Sequence, residues 1–484
     1  MPHQESRSSK ADIFTKWKRG NKMSKNKRYE LSQISRMGYG VGELGTSIIS
    51  FTVGSFLTMY LVDNEIATAA FIGTMMLVSR VLDGISDLVM GTIIDHTYTK
   101  WGKARPWILI GSIPTALSLV MMFNVPLGWP ELAKNIYITV AYILSTVVFG
   151  TAASVSRQVL VTKSTRNPVT RASMMNWRAF FATAAQLLVS GFTASFVAAL
   201  GGGTKGYNLM SILYAVLAGV AMMCTFFAVK ELDIRPKPAS ADIQTRKTSN
   251  LNATNLKYLF CNKYVIPLIF GFILNWLGLG VNSNAAAYYA RDVLGSLSLM
   301  RMITWSRIIP ALIVMLTGFI PIYVMKFGKQ KTLMTGSVLA IAGCVIIWLN
   351  PVNIPAIFAG NILKGASLGF LNGTLLSTAA DVAEYIDYKN NINIAGMTNS
   401  VASFGQKLGQ GFASSFVAWG LAIGGWDAAK LAAGVAQSES AIQAIEVCFN
   451  LIPLACFALI FVIGIFMDVD KKMAMLRKER GETA

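Results

Sequence analysis

Twelve apolar stretches alternate with short polar segments along the chain. A helix that crosses a lipid bilayer needs about 20 predominantly apolar residues, which is close to the length of each stretch. The pattern therefore predicts an all-α membrane protein with twelve transmembrane helices. The apolar stretches lie near residues 36–61, 67–95, 106–123, 136–161, 173–198, 209–229, 264–290, 299–324, 332–348, 355–380, 397–420 and 445–467.

A polar linker divides the twelve predicted helices into two sets of six. It contains two prolines, many small polar side chains and an excess of basic residues. The division predicts a disordered basic cytoplasmic tail at 1–34, a first six-helix bundle at 35–230, a cytoplasmic linker at 231–263, a second six-helix bundle at 264–468 and a cytoplasmic tail at 469–484.

The composition supports insertion in a membrane. Hydrophobic residues make up 54% of the chain and charged residues only 14%, whereas soluble domains contain about 25% charged residues. The net charge is +19, and the basic residues gather in alternate loops. This is the positive-inside pattern, so it predicts a cell membrane protein with both termini in the cytoplasm and argues against a nucleic acid partner.

Several kinds of chemistry are excluded by the residues present. The chain has only two histidines, His3 and His96, too few for a His-rich metal site. Its five cysteines form no CxxC pair. It contains no GxxxxGK[ST] phosphate-binding loop and no nucleophile, base and orienting residue in one span. We therefore expect neither an enzyme nor an ATP-driven pump.

A weak internal repeat relates the two halves. Residues 91–95 read GTIID and are followed by WGKAR at 101–105, while residues 318–321 read GFIP and are followed by FGKQK at 327–331. A basic, glycine-containing loop thus follows the second helix of each half. This plan resembles the major facilitator superfamily, whose halves rock about a central cavity.

The second predicted helix carries three charges on one face. Asp83 and Asp87 are four residues apart, and Arg80 precedes Asp83 by three. Two carboxylates a turn apart repel each other in an apolar setting unless a cation lies between them. They therefore predict a site for Na⁺, Li⁺ or a proton, with Ser86 as a neutral ligand. The alternative is that Arg80 merely neutralises Asp83.

Other ionisable residues interrupt apolar spans, where each is costly unless it has a partner or faces a water-filled cavity. Arg157 and Arg178 also fit a simpler role, with long side chains reaching the cytoplasmic ends of their helices. Lys407 lies in a polar, glycine-rich segment that suits a cavity lining. The interrupting residues are Glu43, Arg157, Arg178, Lys364 and Lys407.

Four motifs together resemble the glycoside-pentoside-hexuronide:cation symporter family of the major facilitator superfamily. They are GYGVGELG at 38–45, RVLDGISDLVMG at 80–91 with WGKARPWILIG at 101–111, the acidic segment at 381–389 and the segment around Lys407. The resemblance implies cation symport with Asp83 and Asp87 as carboxylate ligands and Ser86 nearby. It also implies that Arg178 and Lys407 line the cavity.

The chain departs from the family pattern at two sugar-binding carboxylates. The resemblance implies acidic residues in the first and fourth helices, and the corresponding positions are Ser47 and Ala153. Carboxylates that accept hydrogen bonds from sugar hydroxyls are strong specificity elements, so this difference argues against galactoside specificity. With Arg157 nearby, an acidic glycoside such as a hexuronide is one hypothesis, and a neutral glycoside or pentoside is the other.

These observations assign candidate residues to three roles. The cation-binding candidates are Asp83, Asp87 and Ser86. The substrate-binding candidates are Glu43, Ser47, Arg157, Arg178 and Lys407. The coupling or gating candidates are Arg80, Asp95, Lys103, Arg105, Asp381 and Glu384.

We predict a secondary active transporter that moves a sugar or glycoside by alternating access in symport with Na⁺ or H⁺. The alternatives are a lysolipid or lipid transporter of the same fold and a non-transporting membrane sensor. We expect a monomer with no cofactor beyond the co-transported ion. The sequence leaves open which sugar and which monovalent cation are used.

Overall fold

The computed structural model describes residues 31–165, 168–232, 262–317, 319–390 and 395–469, together with Lys472 and Met475. Within this part of the chain the long elements are all helices. Most of the predicted N-terminal tail, most of the linker and most of the C-terminal tail lie outside the described residues.

Twelve long helices run through the described residues, six on each side of the linker. The first six are α1 Gln33–Asp63, α2 Ala69–His96, α3 Arg105–Phe123, α4 Glu131–Ser164, α5 Pro168–Ala199 and α6 Gly203–Ala228. The second six are α7 Val265–Val293, α8 Leu299–Leu316, α9 Phe319–Leu349, α10 Ile354–Asn390, α11 Ala395–Gly424 and α12 Glu439–Phe466.

The predicted eighth helix, which runs to residue 324, is interrupted in the structure, because α8 ends at Leu316 and α9 begins at Phe319. Within α9, Gly328 has non-helical backbone angles. The Tyr323 hydroxyl lies 3.0 Å from the Thr335 hydroxyl, although a continuous helix would hold residues twelve positions apart at about 18 Å. The chain therefore turns sharply at Gly328, within the loop that the sequence predicts at 327–331.

Nine of the helices in the described part of the chain are long and apolar enough to cross a membrane. The three long helices that are not among them are α2, α8 and α11. Helix α2 contains Arg80, Asp83 and Asp87, while α8 contains Arg307 and α11 contains Lys407. Charged side chains in a spanning helix need a partner or a cavity in which they avoid lipid.

The repeated loop contains a glycine with a positive φ angle in both halves. Gly102 and Gly328 have positive φ angles of 113° and 81°, which favour glycine. The Arg105 side chain donates to the Phe226 carbonyl of α6 at 2.7 Å, and Gln330 donates to two carbonyls near the end of α12 at 3.1 and 2.8 Å. Each loop is thus tied to the last helix of its own half.

The loop between α2 and α3 is capped by Glu231. The backbone N–H groups of Lys103, Ala104 and Arg105 donate to its carboxylate at 3.0, 2.8 and 3.1 Å. A carboxylate at this position also satisfies the free N–H groups at the start of α3. The backbones of Lys103 and Arg105 therefore both bind Glu231, next to the end of α6 in the first half.

The two halves meet mainly through α2 with α11 and α5 with α8. Arg291 near the end of α7 forms an ion pair with Asp63 at the end of α1. Ser415 donates to the Gly73 carbonyl at 2.7 Å. Asp63 ends α1 and Gly73 lies near the start of α2, whereas the first repeated loop follows the end of α2. These contacts therefore lie toward the face opposite the repeated loops. The halves are therefore joined at the face away from the basic loops.

We expect Asp63→Asn to loosen this closed face, because Arg291 then keeps only its ion pair with Asp292 of the same half. The measurement is the rate at which maleimide labels a cysteine introduced as Ser415→Cys at the buried interface, in a protein whose five native cysteines are replaced. Asp63→Asn should raise this labelling rate severalfold. The matched control is Asp292→Asn, which removes a contact within one half. Equal labelling rates in the two variants would contradict this role for the ion pair.

Candidate functional site

The charged face of α2 is buried against α11. Asp83 is only 5% exposed. The close approach of the helices depends on glycine, because a Cβ at Gly411 would lie 2.7 Å from the Arg80 side chain. The two halves therefore meet at the position where the sequence predicts a cation site.

Lys407 of the second half lies between the two carboxylates of the first half. Its Nζ is 3.2 Å from Asp83 Oδ1 and also contacts Asp87 Oδ2. Arg80 is farther away, with Nη1 at 3.8 Å from Asp83 Oδ2. A lysine ammonium thus occupies the position predicted for the monovalent cation. Lys407 of the other half therefore lies closer to the two carboxylates than Arg80 of the same helix does, and it balances more of their charge.

Thr151 of α4 completes the site and was not identified from the sequence. Its hydroxyl donates to Asp83 Oδ1 at 2.7 Å. Asp87 Oδ1 is buried without a hydrogen-bond partner in the described part of the structure. The Asp83, Asp87 and Thr151 oxygens are the hard donors that Na⁺ or Li⁺ prefers, and either carboxylate can take a proton.

Ser86 is turned toward α4. Its hydroxyl donates to the Val147 carbonyl at 2.5 Å, and Val147 lies in the π-helical turn Leu144–Val148. A π-helical turn frees backbone carbonyls that regular helix would use. In this structure Ser86 therefore joins α2 to α4, and Thr151 supplies the hydroxyl next to the carboxylates.

A second charged group lies within the first half and contains three substrate-binding candidates. Glu43 Oε2 of α1 is 3.0 Å from Arg178 Nε and 3.6 Å from Arg157 Nη2. Arg157 also donates to the Gly42 carbonyl at 2.6 Å and is 3% exposed. Arg178 is the most accessible, with 31% of its side chain exposed. Of these two arginines, Arg178 is the better placed to meet a substrate.

The charge on Arg157 is thus already compensated in this structure. The acidic-glycoside hypothesis rests on Arg157, whose guanidinium forms an ion pair with Glu43 and donates to the Gly42 carbonyl. Ser47 lies one turn beyond Glu43 on the same helix face and is buried. Ala153 packs close to Gly111 of α3, so this position faces another helix.

Two of the remaining gating candidates lie on α10, outside the cation site. Asp381 of α10 pairs with Lys329 at 2.6 Å, within the second half. Glu384 is exposed one turn further along α10. The side chain of Asp95 lies outside the part of the chain that the structure describes.

We expect Glu43→Gln to destabilise the first half by about 3 kcal/mol, because it leaves the buried Arg157 charge without a carboxylate. The measurement is thermal or denaturant unfolding in detergent. The matched control is Glu131→Gln, an exposed carboxylate at the start of α4. Adding Arg157→Gln to Glu43→Gln should recover part of the loss. Wild-type stability of Glu43→Gln would show that the carboxylate does not hold the arginines.

Comparison with known proteins supports the same architecture. The chain is 29% identical to the isoprimeverose transporter of Lactiplantibacillus pentosus, over 90% of this chain and 88% of that protein. It is 25% identical to the glucuronide carrier protein homolog of Escherichia coli (strain K12), over 92% and 94% of the two chains. The solved structure of the nucleoside transporter NupG matches the fold with a TM-score of 0.58 and 14% identity, over 90% and 98% of the two chains.

A family model confirms the superfamily that the motifs indicate. The model described as MFS/sugar transport protein matches residues 38–471. This match includes the charged face of α2, both copies of the repeated loop and the Lys407 segment. The chain therefore belongs to the MFS/sugar transport protein family of multi-pass membrane transporters.

Proposed function

We propose that the protein carries a sugar or glycoside across the cell membrane together with a monovalent cation. The observation that carries this proposal is the position of Lys407 between Asp83 and Asp87. An ammonium and a sodium ion carry the same charge, so they are alternative occupants of one site. Because Lys407 belongs to the other half, exchanging it for a free cation alters a contact between the halves.

The proposed cycle couples this exchange to movement of the halves. A cation that enters between Asp83 and Asp87 releases Lys407 and separates α11 from α2. Without a cation or Lys407, the two carboxylates would be buried and uncompensated, so an empty site resists closure. If cation binding raises the affinity for substrate, substrate binding must raise the affinity for the cation by the same factor.

The membrane potential supplies the driving force. One positive charge that crosses 100 mV releases roughly 2.3 kcal/mol, which supports a substrate gradient of about fifty-fold. No hydrolysis step is needed. The cation is Na⁺ or H⁺, and the basic loops favour an orientation with both termini in the cytoplasm.

The group formed by Glu43, Arg157 and Arg178 is the proposed substrate contact in the first half. Glu43 offers carboxylate acceptors and Arg178 offers guanidinium donors, and both types of group bind sugar hydroxyls. Relatives named for isoprimeverose and for glucuronides support a saccharide substrate. The protein is proposed to work as a monomer, since each half contributes its own part of the site.

We expect Asp83→Asn and Asp87→Asn to abolish accumulation driven by a cation gradient, because each removes one of the two carboxylates. The measurement is uptake of labelled neutral glycosides and glucuronides into energised vesicles, with Na⁺, Li⁺ and H⁺ gradients imposed separately. The matched control is Glu131→Gln, which should retain wild-type uptake.

The same assay separates the alternatives. The proposal fails if no gradient accelerates the uptake of any saccharide by the wild type. Lipid movement in liposomes without saccharide uptake would indicate a lipid transporter, and saccharide binding without flux would indicate a sensor. Unchanged cation dependence in Asp83→Asn or Asp87→Asn would remove that residue from the cation site.

A further inference from the structure

Two buried cations lie in the second half, away from the Asp83–Asp87 site. Arg307 of α8 and Lys364 of α10 are each 4% exposed. Arg307 donates to Asn282 Oδ1 at 3.1 Å and to Ser283 Oγ at 2.7 Å. Lys364 donates to Asn450 Oδ1 at 3.3 Å, and its ammonium lies over the Phe449 ring. Among the described residues, no carboxylate forms an ion pair with either cation.

The two cations belong to one connected cluster. Asn282 accepts from Arg307 and donates to the Phe449 carbonyl at 2.8 Å. Phe449 is adjacent to Asn450, the partner of Lys364. Helices α8 and α10 also touch here, because a Cβ at position 365 would strike the Arg307 backbone.

Unpaired amide donors lie in the same cluster. Asn361, one turn before Lys364 on α10, is fully buried, and neither its Nδ2 nor its Oδ1 has a hydrogen-bond partner in the described structure. Asn450 accepts from the Lys364 ammonium through Oδ1, and its Nδ2 has no hydrogen-bond partner among the described residues. Buried polar groups without a partner are rare in folded proteins.

The cluster therefore combines two positive charges with two unused amide N–H₂ groups and contains no negative charge. Burying a cation without a counter-charge is strongly unfavourable, and neutral oxygen acceptors compensate it only in part. We propose that Arg307, Lys364, Asn361 and Asn450 form an anion-binding site in the second half. The ligand is a small monovalent anion, which is either a free halide or the carboxylate of an acidic saccharide.

The site has a route to the interface between the halves. The Ser283 hydroxyl that Arg307 contacts is only partly buried. The next residue, Asn284, lies close to Gly54 of α1 in the first half. Arg307 thus contacts a residue that is next to the interface between the halves.

The test is direct anion binding to the purified full-length protein in detergent. Sodium bromide and sodium chloride are titrated against sodium gluconate at constant sodium and constant ionic strength, and binding is followed by calorimetry and thermal stability. Phenyl β-glucuronide and phenyl β-glucoside, which differ by one carboxylate, are added as competitors. No ion gradient or flux is used, so the result does not depend on the proposed symport.

We expect a saturable halide response in the wild type that is weakened about ten-fold or more in Arg307→Gln and in Lys364→Gln, because each variant removes a charged hydrogen-bond donor. The matched control is Arg301→Gln, on the same helix but exposed, which should bind like the wild type. Displacement of bromide by the glucuronide but not by the glucoside assigns the site to a substrate carboxylate. Halide binding without such displacement assigns it to a free halide.

Two results would overturn the proposal. One is a wild type that shows no saturable response to either halide and no difference between glucuronide and glucoside. The other is an equal loss of affinity in Arg301→Gln and in the two cluster variants, which would point to a general effect of net charge. The wild-type titration alone tests whether the protein binds an anion, so this test holds even if a cluster variant does not fold.

Discussion

The structure depends on the need to balance two carboxylates that lie on one face of a helix within the membrane. Asp83 and Asp87 cannot both remain charged in an apolar setting without a cation between them. In this structure the cation is the Lys407 ammonium of the opposite half. The ion pairs that balance the charge on α2 therefore also join the two halves. A cation that replaces Lys407 changes this contact.

The surrounding packing supports this exchange. Gly411 allows α11 to approach the Arg80 side chain, while the Thr151 hydroxyl holds Asp83 from α4. The Asp63–Arg291 ion pair joins the halves at the face opposite the basic loops. At the cation site the first half supplies Asp83 and Asp87 and the second half supplies Lys407.

Much of this arrangement could be predicted from the sequence. The face of α2 with Asp83 and Asp87 follows from helical spacing, and the repeated glycine loop predicts two related halves. Contacts between distant segments could not be predicted. Nothing in the sequence brings Thr151 to Asp83, turns Ser86 toward Val147 or pairs Arg157 with Glu43, because each depends on how separate helices pack. Lys407 was expected in the cavity, but its position between the carboxylates required the structure.

The central claim is that Lys407 and the transported cation compete for Asp83 and Asp87. The most direct test is the dissociation constant of the coupling cation, measured by calorimetry on the purified wild type and on Lys407→Gln in the absence of substrate. Removing the competing ammonium should tighten cation binding by about ten-fold or more. Binding that is unchanged or weaker in Lys407→Gln would contradict this account.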